Sequence, residues 1–203
     1  MYIPALNKFT DQQEVVSFMQ RYSFATIITV KDNVPTATHL PFLVRERDGQ
    51  LIISSHFAKA NPQANDIADN RALIIFTEPH AYISPKHYEK ETEVPTWNYL
   101  AVHAYGNCFL LDGEENKAAL LKETIQYYEA DYLKQWDSLP DSFKQGMMKG
   151  IVAFEIVVDD LQAKKKLSQN KTPKERENII NELSASKNTN ESDTAAYMNT
   201  SGK

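Results

Sequence analysis

The sequence predicts a mainly β protein with peripheral helices, an α+β chain whose antiparallel strands form a barrel or sandwich. Three observations carry this. Between Phe24 and Glu78, β-branched and aromatic runs (FATIITV, ATHLPFLVRE, LIISSHF, RALIIFTE) alternate with turn residues. Asp48-Gly49 separates two of those runs as a hairpin turn would. Helical periodicity, by contrast, is confined to a few short stretches.

The elements follow in order. Thr10 precedes Val15, Phe18, Met19 and Tyr22, spaced as one helix face, and Gln13 completes a capping box with Thr10, so a first helix is expected over about 11–22. The four β runs come next, and NPQANDIADN between the last two reads as a short helix, capped by Asn61 with Pro62 in its first turn. A long strand or bent strand pair is expected at 97–111 and another strand at 151–158. Between them lies an inserted helix at about 114–136, with Asp112 as cap and Ala118, Leu121, Ile125, Tyr128 and Tyr132 as its apolar stripe. Thr172-Pro173-Lys174-Glu175 combines an N-cap, a first-turn proline and a capping-box glutamate ahead of Ile179, Ile180 and Leu183. Beyond Lys187 there is little to bury. The division expected is a main domain over 1–160, a basic segment with a C-terminal helix over 161–187, and a flexible tail over 188–203.

Composition limits the function classes. At 203 residues the chain suits one domain. No apolar run approaches a membrane span, and the amino-terminal residues do not read as a secretory signal, so no membrane association and a cytoplasmic location are expected. The single cysteine, Cys108, is too few for a disulfide framework or a cysteine zinc cage. A net charge of -5 gives no global pull toward nucleic acid. One local patch runs the other way: Lys164, Lys165, Lys166, Lys171, Lys174 and Arg176 against Glu175 alone. It is either a solvated basic segment or a contact for DNA or another regulator over 164–176. The five histidines fall at no metal-ligand spacing, and no GxGxxG, GxxxxGK[ST] or GxSxG motif occurs, so no metal ligand and no catalytic residue is assigned.

Three stretches place polar groups where strands would bury apolar ones. In Thr38-His39-Leu40-Pro41-Phe42, Pro41 cannot donate to a ladder and marks an edge or bulge. In Ser54-Ser55-His56-Phe57-Ala58-Lys59-Ala60-Asn61-Pro62, hydroxyls and a cation meet a helix start, as a phosphate site would require; a capped loop with a surface lysine is the alternative. Strand alternation puts Trp97, Tyr99, His103 and Tyr105 on one face, able to stack a flat ring or to be core, and Asn98, Leu100, Val102 and Ala104 on the other.

With Met1-Tyr2-Ile3-Pro4, Ala37-Thr38-His39-Leu40-Pro41, the block from His56 to Gln63, Pro79-His80-Ala81-Tyr82-Ile83-Ser84-Pro85, Val94-Pro95-Thr96-Trp97-Asn98-Tyr99, Val102-His103 and Lys166-Leu167-Ser168-Gln169-Asn170, the chain resembles the PaiB family in order and spacing from residue 1 to about 185. That family is named for a repressor of sporulation and degradative-enzyme (protease) synthesis genes and is similar to the FMN-binding split-barrel superfamily of pyridoxamine-phosphate oxidases and flavin reductases. The resemblance implies a six-stranded antiparallel split β-barrel, a homodimer and FMN as cofactor, in a negative transcriptional regulator sensing a flavin or small ligand. An FMN-dependent oxidoreductase is the competing reading. Implied cofactor-binding residues are Thr38, His39, Ser54, Ser55, His56, Lys59, Asn61, Trp97, Asn98, Tyr99, His103, Lys166 and Gln169. In the oxidoreductase reading, Lys59 is expected to pair the phosphate with Thr38, Ser54 and Ser55 donating to it, and Trp97 or Tyr99 to flank the ring. The chain departs from the pattern at Glu78, where the family commonly has glycine, and at Lys86-His87, where Ser-Trp is usual.

Overall fold

In the computed structural model, which describes residues 1–200, the strands are β1 (Phe24–Lys31), β2 (Val34–Pro41), β3 (Leu43–Arg47), β4 (Gln50–Ala58), β5 (Arg71–Ile83), β6 (Thr96–Leu110) and β7 (Ile151–Lys166). The α-helices are α1 (Gln12–Arg21), α2 (Glu114–Tyr128), α3 (Leu133–Ser138), α4 (Asp141–Lys149), α5 (Pro173–Ser184) and α6 (Thr189–Thr200). Hydrogen bonding orders the sheet β2-β1-β5-β6-β7-β4-β3, seven strands in an open ladder rather than the six expected. The extra strand comes from residues 37–46, which read as one run. Pro41 has no N–H to continue a ladder, and the chain breaks there into β2 and β3. No helix among the described residues is long and apolar enough to cross a membrane.

The described chain falls into two compact units. The sheet unit comprises Val16–Phe76 with His103–Leu161; the terminal unit comprises Met1–Val15, Thr77–Val102 and the chain from Gln162.

In the sheet unit, β2 and β3 occupy opposite ends of the strand order, yet only Phe42 separates them in sequence. Two residues reach at most about 7 Å. The end of β2 and the start of β3 therefore lie close together although the two strands share no ladder. Phe42 N–H donates to the Ser23 carbonyl at 2.9 Å, and Ser55 Oγ on β4 donates to the Pro41 carbonyl at 2.7 Å. The Phe42 ring is buried edge-on to Phe76 at 6.1 Å and Phe154 at 6.5 Å, in a core with Ile27, Ile52, Ile53, Phe57 and Ile74.

Asp48-Gly49 makes the expected hairpin turn, with φ of 52° and 76° and Arg47 paired to Gln50. Asp32-Asn33 makes a similar turn between β1 and β2, with φ of 51° and 61°. Residues 61–70 form two 3-10 turns, Pro62–Asn65 and Ile67–Asp69, instead of one helix; Asn61 caps the first as expected. The inserted helix breaks at Glu129, whose φ of -156° and ψ of 72° are not helical, and a 3-10 turn leads into α3. Gly113 rather than Asp112 is its N-cap. Leu120 is its buried contact, packed with Leu43 and Ala153.

In the terminal unit, Asp11 rather than Thr10 caps α1, its carboxylate accepting from Glu14 N–H at 2.9 Å. The capping box on α5 forms as read: Thr172 Oγ1 accepts from Glu175 N–H at 3.2 Å while Glu175 accepts from Thr172 N–H at 3.0 Å. Ile179 and Leu183 face its core. The stretch expected to be a flexible tail forms α6, which packs on α5 and buries Thr194, Ala195 and Met198, and Arg176 donates to the Met198 carbonyl at 2.9 Å. Residues 201–203 of that stretch lie outside the described residues.

Glu78 is exposed and has φ of 144°, a region that favours glycine and costs other residues about 1–3 kcal/mol. Glu78→Gly is expected to raise stability by about 1 kcal/mol in urea unfolding, because relief of that backbone exceeds the entropy glycine adds to the unfolded chain, whereas Glu78→Ala is expected to gain nothing. Phe42→Ala is expected to lower stability by about 3–5 kcal/mol in the same assay.

Candidate functional site

The sheet unit holds Lys59 on a braced turn. Lys59 follows β4, and its N–H donates to the Gly150 carbonyl at 2.8 Å while Asn61 N–H donates to Ala58 at 2.9 Å. Asn61 Oδ1 accepts from Gln63 N–H at 3.0 Å, and Asn61 Nδ2 donates to Thr38 Oγ1 at 3.0 Å. Thr38 in turn donates to Gln63 Oε1 at 2.7 Å, and Gln63 Nε2 donates to Thr29 Oγ1 at 3.0 Å. Gln63 is 4% exposed and ties the turn to both β1 and β2. Thr38 and Asn61 are thus braces that already have partners. The Lys59 side chain is exposed, with no carboxylate partner among the described residues. A cation fixed by its backbone and uncompensated by the protein is suited to hold an external anion.

The neighbouring candidates divide by burial. Ser54 is fully buried with its hydroxyl unpartnered, and Ser55 is buried with its hydroxyl committed to Pro41. Neither faces solvent, which corrects the expectation that they donate to a phosphate beside exposed Lys59. The reason is that β4 is covered on both faces from Leu51 to Ser55. His39 is exposed and its Nδ1 lies 2.9 Å from Thr26 Oγ1. His56 is half-buried, and burial holds its pKa below the ordinary value. His103, half-buried on β6, has a buried Nδ1 without a partner, and burial also lowers its pKa.

In the terminal unit, Trp97 is half exposed, with its ring 5.5 Å from His80 and edge-on to Tyr82 at 6.0 Å, so part of its surface is open for stacking. Tyr99 carries the Lys164 ammonium 5.0 Å from its ring centre. Asn98, Lys166 and Gln169 line one cavity, which brings together two sequence blocks about 70 residues apart. Tyr88, Thr96 and Asn170, to which sequence reasoning assigned no role, line it too, as does Lys171, which was read only as part of the basic segment. Their signal was position inside or beside those blocks.

The basic stretch is engaged throughout. Lys164 donates to the Tyr2 carbonyl at 3.3 Å, Lys165 pairs with Glu14 at 2.7 Å, and Lys166 donates to the Thr96 hydroxyl. Lys171 pairs with Glu93 at 2.9 Å, Lys174 lies 3.4 Å from Glu89, and Arg176 donates to the Leu167 carbonyl at 2.6 Å. His87, where the resemblance expects tryptophan, is buried 3.7 Å from Glu182.

Residues 1–160 match the family model described as "Putative FMN-binding domain". Over 201 residues the chain is 40% identical to the protease synthase and sporulation protein PAI 2 of Bacillus subtilis strain 168, covering 98% of this chain and 96% of that one. The chain belongs to the PaiB family. An uncharacterised protein of Emericella nidulans, AN0679, is 27% identical, covering 71% of this chain and 73% of its own. Among solved structures, flavocytochrome Anf3 from Azotobacter vinelandii superposes with a TM-score of 0.62 at 14% identity, covering 77% of this chain and 67% of that one. An FAD- and heme-binding protein from Mycobacterium smegmatis gives 0.61 at 14% identity, with 77% and 72% covered. These two show a shared fold.

Burial lowers the pKa of His56, His87 and His103 from the ordinary value of 6.5. A depressed histidine favours the neutral form in the folded chain, so below pH 6.5 the unfolded chain takes up protons first and stability falls. Glu175 and Glu182, also depressed, start from 4.5 and act only at lower pH. The urea midpoint is therefore expected to drop between pH 7.5 and 5.5, and His56→Gln to flatten part of that drop; an unchanged slope would remove His56 from the account.

Proposed function

We propose that this PaiB-family chain is a flavin-responsive regulator that binds FMN as a homodimer, with Lys59 pairing the cofactor's phosphate. The observation carrying the reading is the exposed Lys59 ammonium on a turn locked by Gly150, Asn61 and Gln63, without a carboxylate of its own. The family match over residues 1–160 supports FMN, and the likeness to a flavocytochrome supports a flavin more broadly. The regulatory role rests on the 40% identity to a sporulation protein. Trp97, half exposed, is the group suited to stack a flat ring. Bound FMN would supply a redox-sensitive ring, and the residues of this chain would bind and orient it. All of the cations at 164–176 except Lys166, which meets the Thr96 hydroxyl, are held by Glu14, Glu89, Glu93 or backbone carbonyls, so sensing falls to the ligand and contact with promoter DNA to a partner.

Titration of the purified protein with FMN, followed by quenching of flavin fluorescence, tests this. Saturable binding is expected, and Lys59→Ala is expected to weaken FMN by roughly tenfold to a hundredfold, the worth of a charge-assisted hydrogen bond, while leaving riboflavin unchanged. Absence of quenching defeats the flavin reading, and equal FMN affinity in Lys59→Ala defeats the phosphate role. Rapid bleaching of bound FMN by NADH would move the function to oxidoreductase.

A further inference from the structure

The terminal unit contains a cavity of about 360 Å³ whose walls come from the amino-terminal segment, residues 88–98 and residues 166–171. Its charged walls are two ammonium groups, Lys166 and Lys171, against one carboxylate, Glu93. Lys171 is neutralised by Glu93 at 2.9 Å and lies 3.6 Å from the centre of the Tyr88 ring. Lys166 has only the neutral Thr96 hydroxyl. A half-buried cation without a counterion is under-solvated, and an anion entering the cavity relieves that.

Three polar walls are also underused. The Tyr88 hydroxyl is buried without a hydrogen-bond partner. The Asn170 amide is exposed and has no partner among the described residues. Asn98 is fully buried; its Oδ1 accepts from Ser168 Oγ at 3.0 Å, but its Nδ2 reaches only the Met198 thioether at 3.4 Å, a weak acceptor. Buried donors normally find strong acceptors, so the two left short here, Tyr88 and Asn98, with the exposed Asn170 amide beside them, mark a place for a ligand's oxygens.

We infer that this cavity is a binding site for a small oxyanion, a carboxylate or a phosphate, held by Lys166 with Tyr88, Asn98 and Asn170 hydrogen-bonding the rest of the molecule. Lys166 is the specificity-determining group, because without it the cavity carries no net positive charge. Tyr88 discriminates by hydrogen bonding, since its hydroxyl has no structural duty. The site uses none of the residues around Lys59 and stands whether or not the flavin proposal does.

Thermal unfolding and isothermal titration with inorganic phosphate, succinate, FMN and riboflavin, against sodium chloride at matched ionic strength, test the inference. At least one oxyanion is expected to stabilise the protein beyond chloride. Lys166→Met is expected to weaken that anion at least tenfold and Lys166→Arg to retain it. Tyr88→Phe is expected to weaken it about threefold without lowering the stability of the ligand-free protein, because no internal bond is lost. Competition by succinate identifies a carboxylate source; competition by FMN but not riboflavin, lost in Lys166→Met and kept in Lys59→Ala, identifies the flavin phosphate. A response no greater than chloride for every anion overturns the inference, as does a Lys166→Met variant that binds like the parent.

Discussion

Pro41, Phe42 and Leu43 carry the chain from one end of the sheet order to the other in a single step. Proline withholds its N–H and ends β2. Phe42 then spends its amide on Ser23 and its ring on Phe76 and Phe154, and the Pro41 carbonyl takes the Ser55 hydroxyl. An aromatic side chain buried at this corner gives about the stabilisation of a full core residue, and it does so where two open strand edges would otherwise face solvent. The corner therefore fixes where β2 ends relative to β4, and with it the positions of Thr38 and of the turn after Ala58.

That placement explains why most of the polar residues around Lys59 are structural. Gln63 reaches Thr38 and Thr29 because β1 and β2 stand beside the turn, and each hydrogen bond it makes satisfies a group that burial would otherwise penalise. A fully satisfied network is rigid, and rigidity is useful beneath a long flexible lysine, since the backbone no longer adds to the entropy lost on binding. The chemistry is left to the one side chain that the network does not use.

Much of the fold was legible because its signals are local. Asp48-Gly49 demands positive φ at both positions, and Thr172 with Glu175 is a capping box whose partners sit three residues apart; both form. The failures have physical sources too. Pro41 was recognised as an edge or bulge, but an apolar run on either side concealed that it divides two strands. Asp32-Asn33 turns without glycine and leaves little trace. α6 was hidden by composition, since its buried residues, Thr194, Ala195 and Met198, include only one large apolar side chain, and its packing on α5 is a tertiary fact. At the candidate site, Lys59 was legible as a cation at a strand end, whereas the burial of Ser54 and Ser55 was not, because it depends on what covers each face of β4. The joining of Asn98 to Lys166 and Gln169 depends on the return of a distant strand and could be reached only through the family pattern.

Residue-resolved native-state amide exchange at Phe42 tests the central constraint most directly. If the corner joins the sheet edges as described, the Phe42 amide, bonded to Ser23 at 2.9 Å, exchanges as slowly as the core amides of β4 and only through global unfolding. Exchange of Phe42 at the rate of an unpaired edge amide, with the β4 core still protected, would contradict it.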